Sequence, residues 1–182
     1  TLGFFVRAQG GDWWAWWDQH NEHRILLARI FFWMDMAWFQ GKGWFLLLVN
    51  YLLMVGIGLS FLGIWRERTG GRLPLASAFL FAWVCSWIQY DNLTWGFQSQ
   101  FLLAQWLPLL AFYFMHRSSR ASDAGALMPN GWFWASAVCG VLSLGTMANG
   151  VIALPLLAVF ALLLHRIWWQ PVLLAVLAAA GI

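Results

Sequence analysis

The densest group of polar side chains in the sequence is the run Asp-Gln-His-Asn-Glu-His-Arg that begins at Asp18. If this run is helical, His20 shares a face with His23 and Arg24, three and four positions later. On that face a phosphate would meet a guanidinium and imidazoles, which are strong donors to phosphate oxygens. Asp18 or Glu22 would then be the general base that removes a proton from a hydroxyl. The pattern predicts catalytic roles for the two carboxylates and substrate binding by the three basic side chains.

Two other interpretations of this run stay open. His20 and His23 with an acidic side chain would offer ligands to a divalent metal ion, although their spacing matches no established zinc motif. A solvated turn at a membrane interface would need no chemistry at all. Four tryptophans lie just before the run, between positions 13 and 17, and tryptophan prefers the headgroup layer of a bilayer. We therefore assign no residue to a metal site.

Two further breaks in the apolar sequence are candidate binding segments. Segment 91–98 reads DNLTWGFQ, and we predict substrate binding by Asp91, Asn92 and Gln98 because polar residues on short connections often carry function. The alternative is a polar loop that its aromatic residues anchor at the interface. Asn149 is a further binding candidate, and the alternative there is a tight helix–helix turn in which Asn and Gly adopt left-handed conformations.

The elements that must position these residues are apolar helices. Hydrophobic residues make up 62% of the 182 residues and charged residues only 9%, whereas an average soluble domain is about 25% charged. The composition predicts an all-α fold, a polytopic transmembrane helix bundle with an interfacial helix before its first complete span. Five spans and the start of a sixth are predicted at 44–65, 74–90, 99–115, 131–147, 151–164 and 171–182.

The first 43 residues form a separate predicted region, and 44–182 forms the bundle. Stretch 24–39 is apolar but carries Arg29 and Asp35, and two charges near the bilayer centre would cost several kcal/mol. We therefore expect 24–39 to lie along the surface, which makes 1–43 an interfacial segment and part of an outer loop. We also expect the sequence to be part of a longer chain.

The positions of the basic residues predict the orientation of the bundle. Basic residues in 66–72, 117–120 and at Arg166 would face the cytoplasm, and the loops 91–98 and 148–150, without Lys or Arg, would face outside. Because the basic residues are placed at span ends, the net charge of +3 does not indicate a nucleic-acid partner. No nucleotide or pigment site is indicated, since no glycine-rich phosphate loop is found and every His lies at a span end or in a polar segment.

Four motifs carry a resemblance to a known group. The chain resembles bacterial multi-span proteins in these motifs, which are HNEHRILLAR from His20, GKGWF from Gly41, NLTWGFQ from Asn92 and MANG from Met147. Those proteins are similar to the GT-C superfamily, the membrane glycosyltransferases that use polyprenyl-phosphate sugars. The order of an acidic aromatic segment, a short apolar helix, a glycine-rich break and a span is also similar to that superfamily.

The resemblance implies a function, a location and partners. It implies a multi-pass protein of the bacterial inner membrane that transfers a sugar from a lipid-phosphate donor on the outer face. Membrane lipid and a polyprenyl-phosphate sugar would be its partners, and a lipid-linked donor needs no nucleotide-binding domain. The alternative from another class is a non-catalytic structural subunit of a larger membrane complex, whose tryptophan-rich faces would pack against other helices.

Overall fold

The computed structural model of the chain describes residues 2–19, 24–72, 75–122, 131–164 and 167–181. Every regular element in these ranges is helical, so the predicted all-α class is confirmed. Ten α-helices and two short 3-10 turns, Trp87–Gln89 and Gly96–Gln98, are found there. The α-helices are α1 Leu2–Gln9, α2 Trp14–Trp17, α3 Leu26–Trp38, α4 Trp44–Arg68, α5 Leu75–Val84, α6 Tyr90–Thr94, α7 Ser99–Ser122, α8 Gly131–Ser143, α9 Ala148–Leu163 and α10 Trp169–Gly181.

The chain divides into two compact units. Unit 1 comprises Thr1–Trp16 and Ala28–Leu102, and unit 2 comprises Trp17–Leu27 and Leu103–Ile182. The boundaries fall within helices α2, α3 and α7, which therefore contribute residues to both units.

Helix α4 is the one helix, among the residues described, that is long and apolar enough to cross a membrane by length and composition. Its 25 residues span about 37 Å at 1.5 Å per residue, against a hydrocarbon core of about 30 Å. The apolar helices α8, α9 and α10 are shorter. The multi-span arrangement therefore stays a prediction.

The second predicted span, 74–90, is not one continuous helix. Helix α5 ends at Val84 after 10 residues, about 15 Å, and the chain turns at Ser86 into the short elements up to Gln98. Ser86 has an extended backbone, and its hydroxyl donates a 2.7 Å hydrogen bond to the carbonyl of Trp83. A serine hydroxyl that bonds the backbone carbonyl three positions earlier competes with helix continuation, which accounts for the break.

Helix α3 agrees with the predicted helix at 24–39, but its two charged side chains are buried. The sequence argument placed Arg29 and Asp35 near water because unpaired charges are costly in apolar surroundings. In unit 1 the guanidinium of Arg29 donates to the carbonyls of Ala15 and Trp16, at 2.7 and 3.0 Å, and the Asp35 carboxylate accepts the N–H of Gly43. Main-chain carbonyls therefore accept from the Arg29 guanidinium, and Asp35 Oδ2 accepts from the main chain. Asp35 Oδ1 is buried without a hydrogen-bond partner within the described residues.

The core of unit 2 is built from α8, α9 and α10 with residues of α7. Phe133, Leu154, Leu157 and Leu174 are fully buried in it. The Ser136 hydroxyl donates a 2.7 Å hydrogen bond to the carbonyl of Ala111 and joins α8 to α7.

The predicted turn at Asn149-Gly150 lies earlier in the chain. Residues 144–146 form the turn, and Asn149 and Gly150 are already helical, in the first turn of α9. Gly150 is needed for close packing, since a Cβ there would overlap the carbonyl oxygen of Ser143. The interpretation in terms of left-handed conformations was wrong for Gly150, whose φ is not positive.

Candidate functional site

Two of the motifs identified in the sequence meet in unit 1. The turn Gly41-Lys42-Gly43 and the segment 94–97 lie on the walls of one cleft of about 400 Å³. The first turns of α4 form its floor, and α3 contributes an aromatic side chain. The cleft is lined by Phe32, Lys42, Gly43, Leu46, Leu47, Thr94, Trp95, Gly96 and Phe97.

Asp35 holds the turn that carries Lys42. Its backbone carbonyl accepts the N–H of Gly41 at 3.0 Å, and its Oδ2 accepts the N–H of Gly43 at 3.2 Å. The turn needs this support because Gln40, Gly41 and Gly43 all have positive φ, of 59°, 68° and 78°. Glycine adopts such angles without strain, whereas a residue with a Cβ rarely does. The two glycines and the buried carboxylate together fix the position of the lysine.

Asn50 holds the opposite wall of the cleft. It is fully buried on α4, and its Nδ2 donates to the backbone carbonyls of Asn92 and Trp95 at 3.0 and 2.9 Å. Asn50 follows Leu46 and Leu47 by four and three positions, so it continues the face of α4 that forms the floor. Close contact is also required at Gly96, where a Cβ would lie 2.8 Å from the Cβ of Leu46.

An aromatic wall completes the cleft. The rings of Phe32 and Phe97 are stacked with centroids 5.5 Å apart and planes 7° apart. Trp95 contacts Phe97 at 5.6 Å, and 59% of the Trp95 surface is exposed. Aromatic pairs of this kind are rigid and stabilise the packing by about 0.5–1.5 kcal/mol each. The wall therefore presents a fixed indole beside the cleft.

The polar groups of the cleft are mostly donors. Lys42 is exposed, and its ammonium makes no hydrogen bond or ion pair within the described residues. Helix α4 has no side-chain cap, and its first main-chain bond runs from the N–H of Leu47 to the carbonyl of Gly43. The N–H groups before Leu47 in that turn therefore lack intrahelical partners. Such a combination suits an anionic or hydroxyl-rich ligand.

The three binding residues predicted in segment 91–98 frame the cleft and do not line it. The Asn92 amide donates to Gln89 Oε1 at 2.6 Å, and Gln98 is 8% exposed. Asp91 is exposed, and its carbonyl accepts the N–H of Trp95. The lining comes from the residues between them. Asp91, Asn92 and Gln98 are thus placed to shape this wall of the cleft.

Four residues of the predicted catalytic run lie outside the described part of the chain: His20, Asn21, Glu22 and His23. Asp18 and Arg24 are described and belong to unit 2, where both are half-buried. Within unit 2 the guanidinium of Arg24 lies 5.2 Å from the ring centre of Trp17. Its Nη1 also donates to the Gly181 carbonyl at 3.4 Å. Arg24 is therefore held against an aromatic face and a helix end.

Asn149, the last predicted binding residue, is exposed at the start of α9 in unit 2. Its neighbour Gly150 is buried, and the Gly150 carbonyl accepts a 2.9 Å hydrogen bond from the Ser143 hydroxyl. The described residues contain no group of three His, Cys, Asp or Glu side chains that could hold a metal ion.

Sequence reasoning missed the residues that line the cleft. Lys42 was interpreted only as part of the glycine-rich break in the GKGWF motif, although it is the only lysine of the sequence and has a glycine on each side. Asp35 was interpreted only as a charge to keep out of the membrane. Flanking glycines around a single lysine were the signal that could have indicated a presented side chain.

Comparisons with protein-family models, with curated proteins and with solved structures found no match to this chain.

Proposed function

We propose that the chain is a multi-pass membrane glycosyltransferase of the type that takes its sugar from a polyprenyl-phosphate donor. The observation that carries the proposal is the cleft in unit 1, where two motifs about 50 positions apart in sequence surround a presented lysine. Location in the bacterial inner membrane and the remaining spans are part of the same proposal.

The position of the cleft along α4 supports a donor that is anchored in lipid. Lys42 and Gly43 immediately precede α4, and Leu46 and Leu47 lie in its first turns. If α4 crosses the bilayer, its first turn lies near the headgroup layer, because the helix is only slightly longer than the hydrocarbon core. A lipid-linked phosphate would present its sugar at this depth.

The proposed reaction is an inverting displacement. Asp18 or Glu22 would accept the proton of the acceptor hydroxyl as that oxygen forms a bond to the anomeric carbon. The bond between that carbon and the phosphate oxygen would break, and the lipid phosphate would leave with the electron pair. Arg24 and the neighbouring histidines would stabilise the negative charge that develops on the leaving phosphate.

Transfer of a labelled sugar from a polyprenyl-phosphate donor by the purified protein in lipid nanodiscs tests the proposal. We expect Arg24→Ala and the variant of the acting base, Asp18→Asn or Glu22→Gln, each to reduce transfer by at least about 100-fold, as expected for a general base or a charge-stabilising group. Arg72→Ala is the matched control, since Arg72 is exposed and lies outside the proposed machinery. Undiminished transfer by all three variants would rule out these roles, and a folded protein without any transfer would rule out the function.

A second candidate is the non-catalytic subunit of a larger membrane complex. It is favoured by large apolar side chains that are exposed in the isolated chain, including Leu75 at 86%, Trp13 at 83% and Trp168 at 76%. Exposed apolar surface indicates lipid or a protein partner. Stoichiometric copurification with a membrane assembly, in the absence of sugar transfer, would favour this candidate over the enzyme.

A further inference from the structure

We infer that the cleft of unit 1 binds a phosphate-bearing headgroup, with the Lys42 ammonium on the phosphate oxygens and the Trp95 ring against the group attached to the phosphate. The inference rests on the proposed function and deepens it, because it assigns the recognition of a phosphate-bearing headgroup to residues of unit 1 alone. It also goes beyond Arg24, Asp91, Asn92, Gln98 and Asn149, the predicted binding residues within the described ranges, none of which lines this cleft.

Lys42 supplies the positive charge of the cleft. Lys42 is exposed at the cleft and makes no ion pair in the described part of the chain. A lysine ammonium is a compact charge with three donors and is well suited to phosphate oxygens. The glycine on each side has no side chain to shield it, and nothing lies within 4 Å of a Cβ placed on Gly43. The lysine is therefore presented to a ligand from a fixed turn.

Asp35 holds the Gly41-Lys42-Gly43 turn in place. The Oδ2 of Asp35 accepts the N–H of Gly43 at 3.2 Å, while Asp35 itself is 3% exposed. The Asp35 carboxylate does not line the cleft but accepts a hydrogen bond from Gly43, which does. We therefore treat Asp35 as a positioning residue. Its negative charge opposes an anion, whereas its hydrogen bond helps to place Lys42. The two effects have opposite signs and can be separated by substitution.

The remainder of the cleft would hold the group attached to the phosphate. A single cation needs only part of a cleft of about 400 Å³, a volume within the range of small-molecule sites. The remaining walls offer the exposed indole of Trp95 and backbone at Gly96. The apolar face of a sugar ring packs well on an aromatic ring, and its hydroxyls can bond to backbone groups at the edge. The cleft thus suits a phosphate that carries a sugar-sized group.

Because Lys42 is the only lysine, reductive methylation with ¹³C-formaldehyde places one side-chain NMR probe in the cleft, once the N-terminal amine is blocked. We would titrate this probe, in zwitterionic nanodiscs, with a prenyl phosphate, its glycosylated form, the matching prenyl alcohol and inorganic phosphate. Saturable shifts with the two phosphorylated lipids, and none with the alcohol, are expected. No shift with any phosphate would overturn the inference. An equal response to inorganic phosphate would assign the site to free phosphate and overturn the headgroup assignment.

Binding of a fluorescent prenyl-phosphate sugar to variants gives the second measurement. Loss of one charge-assisted hydrogen bond corresponds to about tenfold in affinity, so Lys42→Gln should weaken binding by that factor and Lys42→Arg by less. Trp95→Ala should weaken the glycosylated ligand more than the bare prenyl phosphate. Trp87→Ala is its control, because Trp87 is similarly exposed in the same segment but does not line the cleft. Unchanged affinity in Lys42→Gln would contradict the inference.

Asp35 provides a variant pair that distinguishes positioning from charge. Asp35→Asn keeps an oxygen for the Gly43 N–H and removes the negative charge, so headgroup binding should be retained or strengthened. Asp35→Ala removes the hydrogen bond and should weaken binding by several-fold. Weaker binding in Asp35→Asn than in Asp35→Ala would contradict the positioning role. Headgroup binding without sugar transfer would support this inference and refute the proposed function. Sugar transfer together with unchanged headgroup binding in Lys42→Gln would support the proposed function and refute this inference.

Discussion

The side-chain amide of Asn50, fully buried on α4, donates a 2.9 Å hydrogen bond to the backbone carbonyl of Trp95. The same nitrogen donates to the carbonyl of Asn92 at 3.0 Å. One amide therefore ties two turns of a short irregular segment to a long apolar helix. Because Trp95 lines the cleft, the geometry of the candidate site depends on a residue that a ligand would not touch.

Asn50→Leu is expected to lower the free energy of unfolding by about 1–3 kcal/mol, because two part-buried backbone carbonyls lose their side-chain donor. Thermal unfolding of the purified protein in detergent, followed by tryptophan fluorescence, would measure the change. Leu52→Ala is the control, since Leu52 is 62% exposed on the same helix and should change stability by less than about 1 kcal/mol. An Asn50→Leu protein as stable as the wild type would show that the two hydrogen bonds do not hold the segment.

Hydropathy and glycine breaks were sufficient to predict α3 and α4. The GKG break separates them where expected, and α4 begins at Trp44, at the predicted position. The same reasoning failed at 74–90 because the Ser86 hydroxyl bonds the Trp83 carbonyl at the end of α5, which leaves little trace in an apolar average. Asn50 resembles an isolated polar residue in a span until its partners, more than 40 positions away, are seen.

The candidate site was predictable in its parts but not as a whole. Both GKG and NLTWGFQ were identified as motifs, yet their meeting across the face of α4 depends on tertiary packing. Asp35 was judged by its cost in a membrane, a criterion that takes no account of main-chain partners. Arg29 shows that a buried charged side chain in an apolar helix can bond to nearby backbone, and Asp35 does so through Oδ2 while its buried Oδ1 has no partner in the described residues.

Arg29 joins α3 to α2 in unit 1. Its Nη1 donates to the carbonyls of Ala15 and Trp16, and its guanidinium carbon lies 5.3 Å from the ring centre of Phe4. Arg29→Met keeps most of the side-chain volume but removes the donors, so we expect a loss of about 2–4 kcal/mol and faster proteolysis between α1 and α3. Arg29→Lys should fall between the wild type and Arg29→Met, because an ammonium lacks the planar fork of donors. A Lys variant less stable than the Met variant would contradict this account.

Asp12 should titrate below its ordinary range. The Arg7 guanidinium, whose Nε donates to Asp12 Oδ2 at 2.8 Å, lowers the pKa of Asp12, and the backbone N–H of Trp14 adds to the effect. A lowered carboxyl pKa stabilises the folded state above the ordinary pKa of about 3.9, and this contribution is lost as the pH falls through the lowered value.

Titration of ¹³C-labelled Asp carboxyls by NMR would test the effect of Arg7 on Asp12. Arg7→Gln should raise the pKa of Asp12 toward its ordinary value, and added salt should shift it in the same direction because the pair is exposed. Arg72→Gln removes the same charge from a position that does not contact Asp12 and serves as control. An Asp12 pKa that is unchanged in Arg7→Gln would assign the shift to the backbone and not to the ion pair.

Two glycines in apolar helices should respond in opposite directions to alanine. A Cβ on Gly150 would overlap the Ser143 carbonyl oxygen, which also accepts a 2.6 Å hydrogen bond from the Thr146 hydroxyl. The turn before α9 has no room to shift without breaking that bond, so Gly150→Ala should lower the free energy of unfolding by about 3 kcal/mol or more.

A Cβ added to Gly63 in α4 would have nothing within 4 Å, and Gly63→Ala should stabilise the protein by about 0.5–1 kcal/mol, since alanine favours helix. Thermal unfolding of both variants in the same detergent measures the contrast, and equal effects at the two positions would refute the packing role of Gly150.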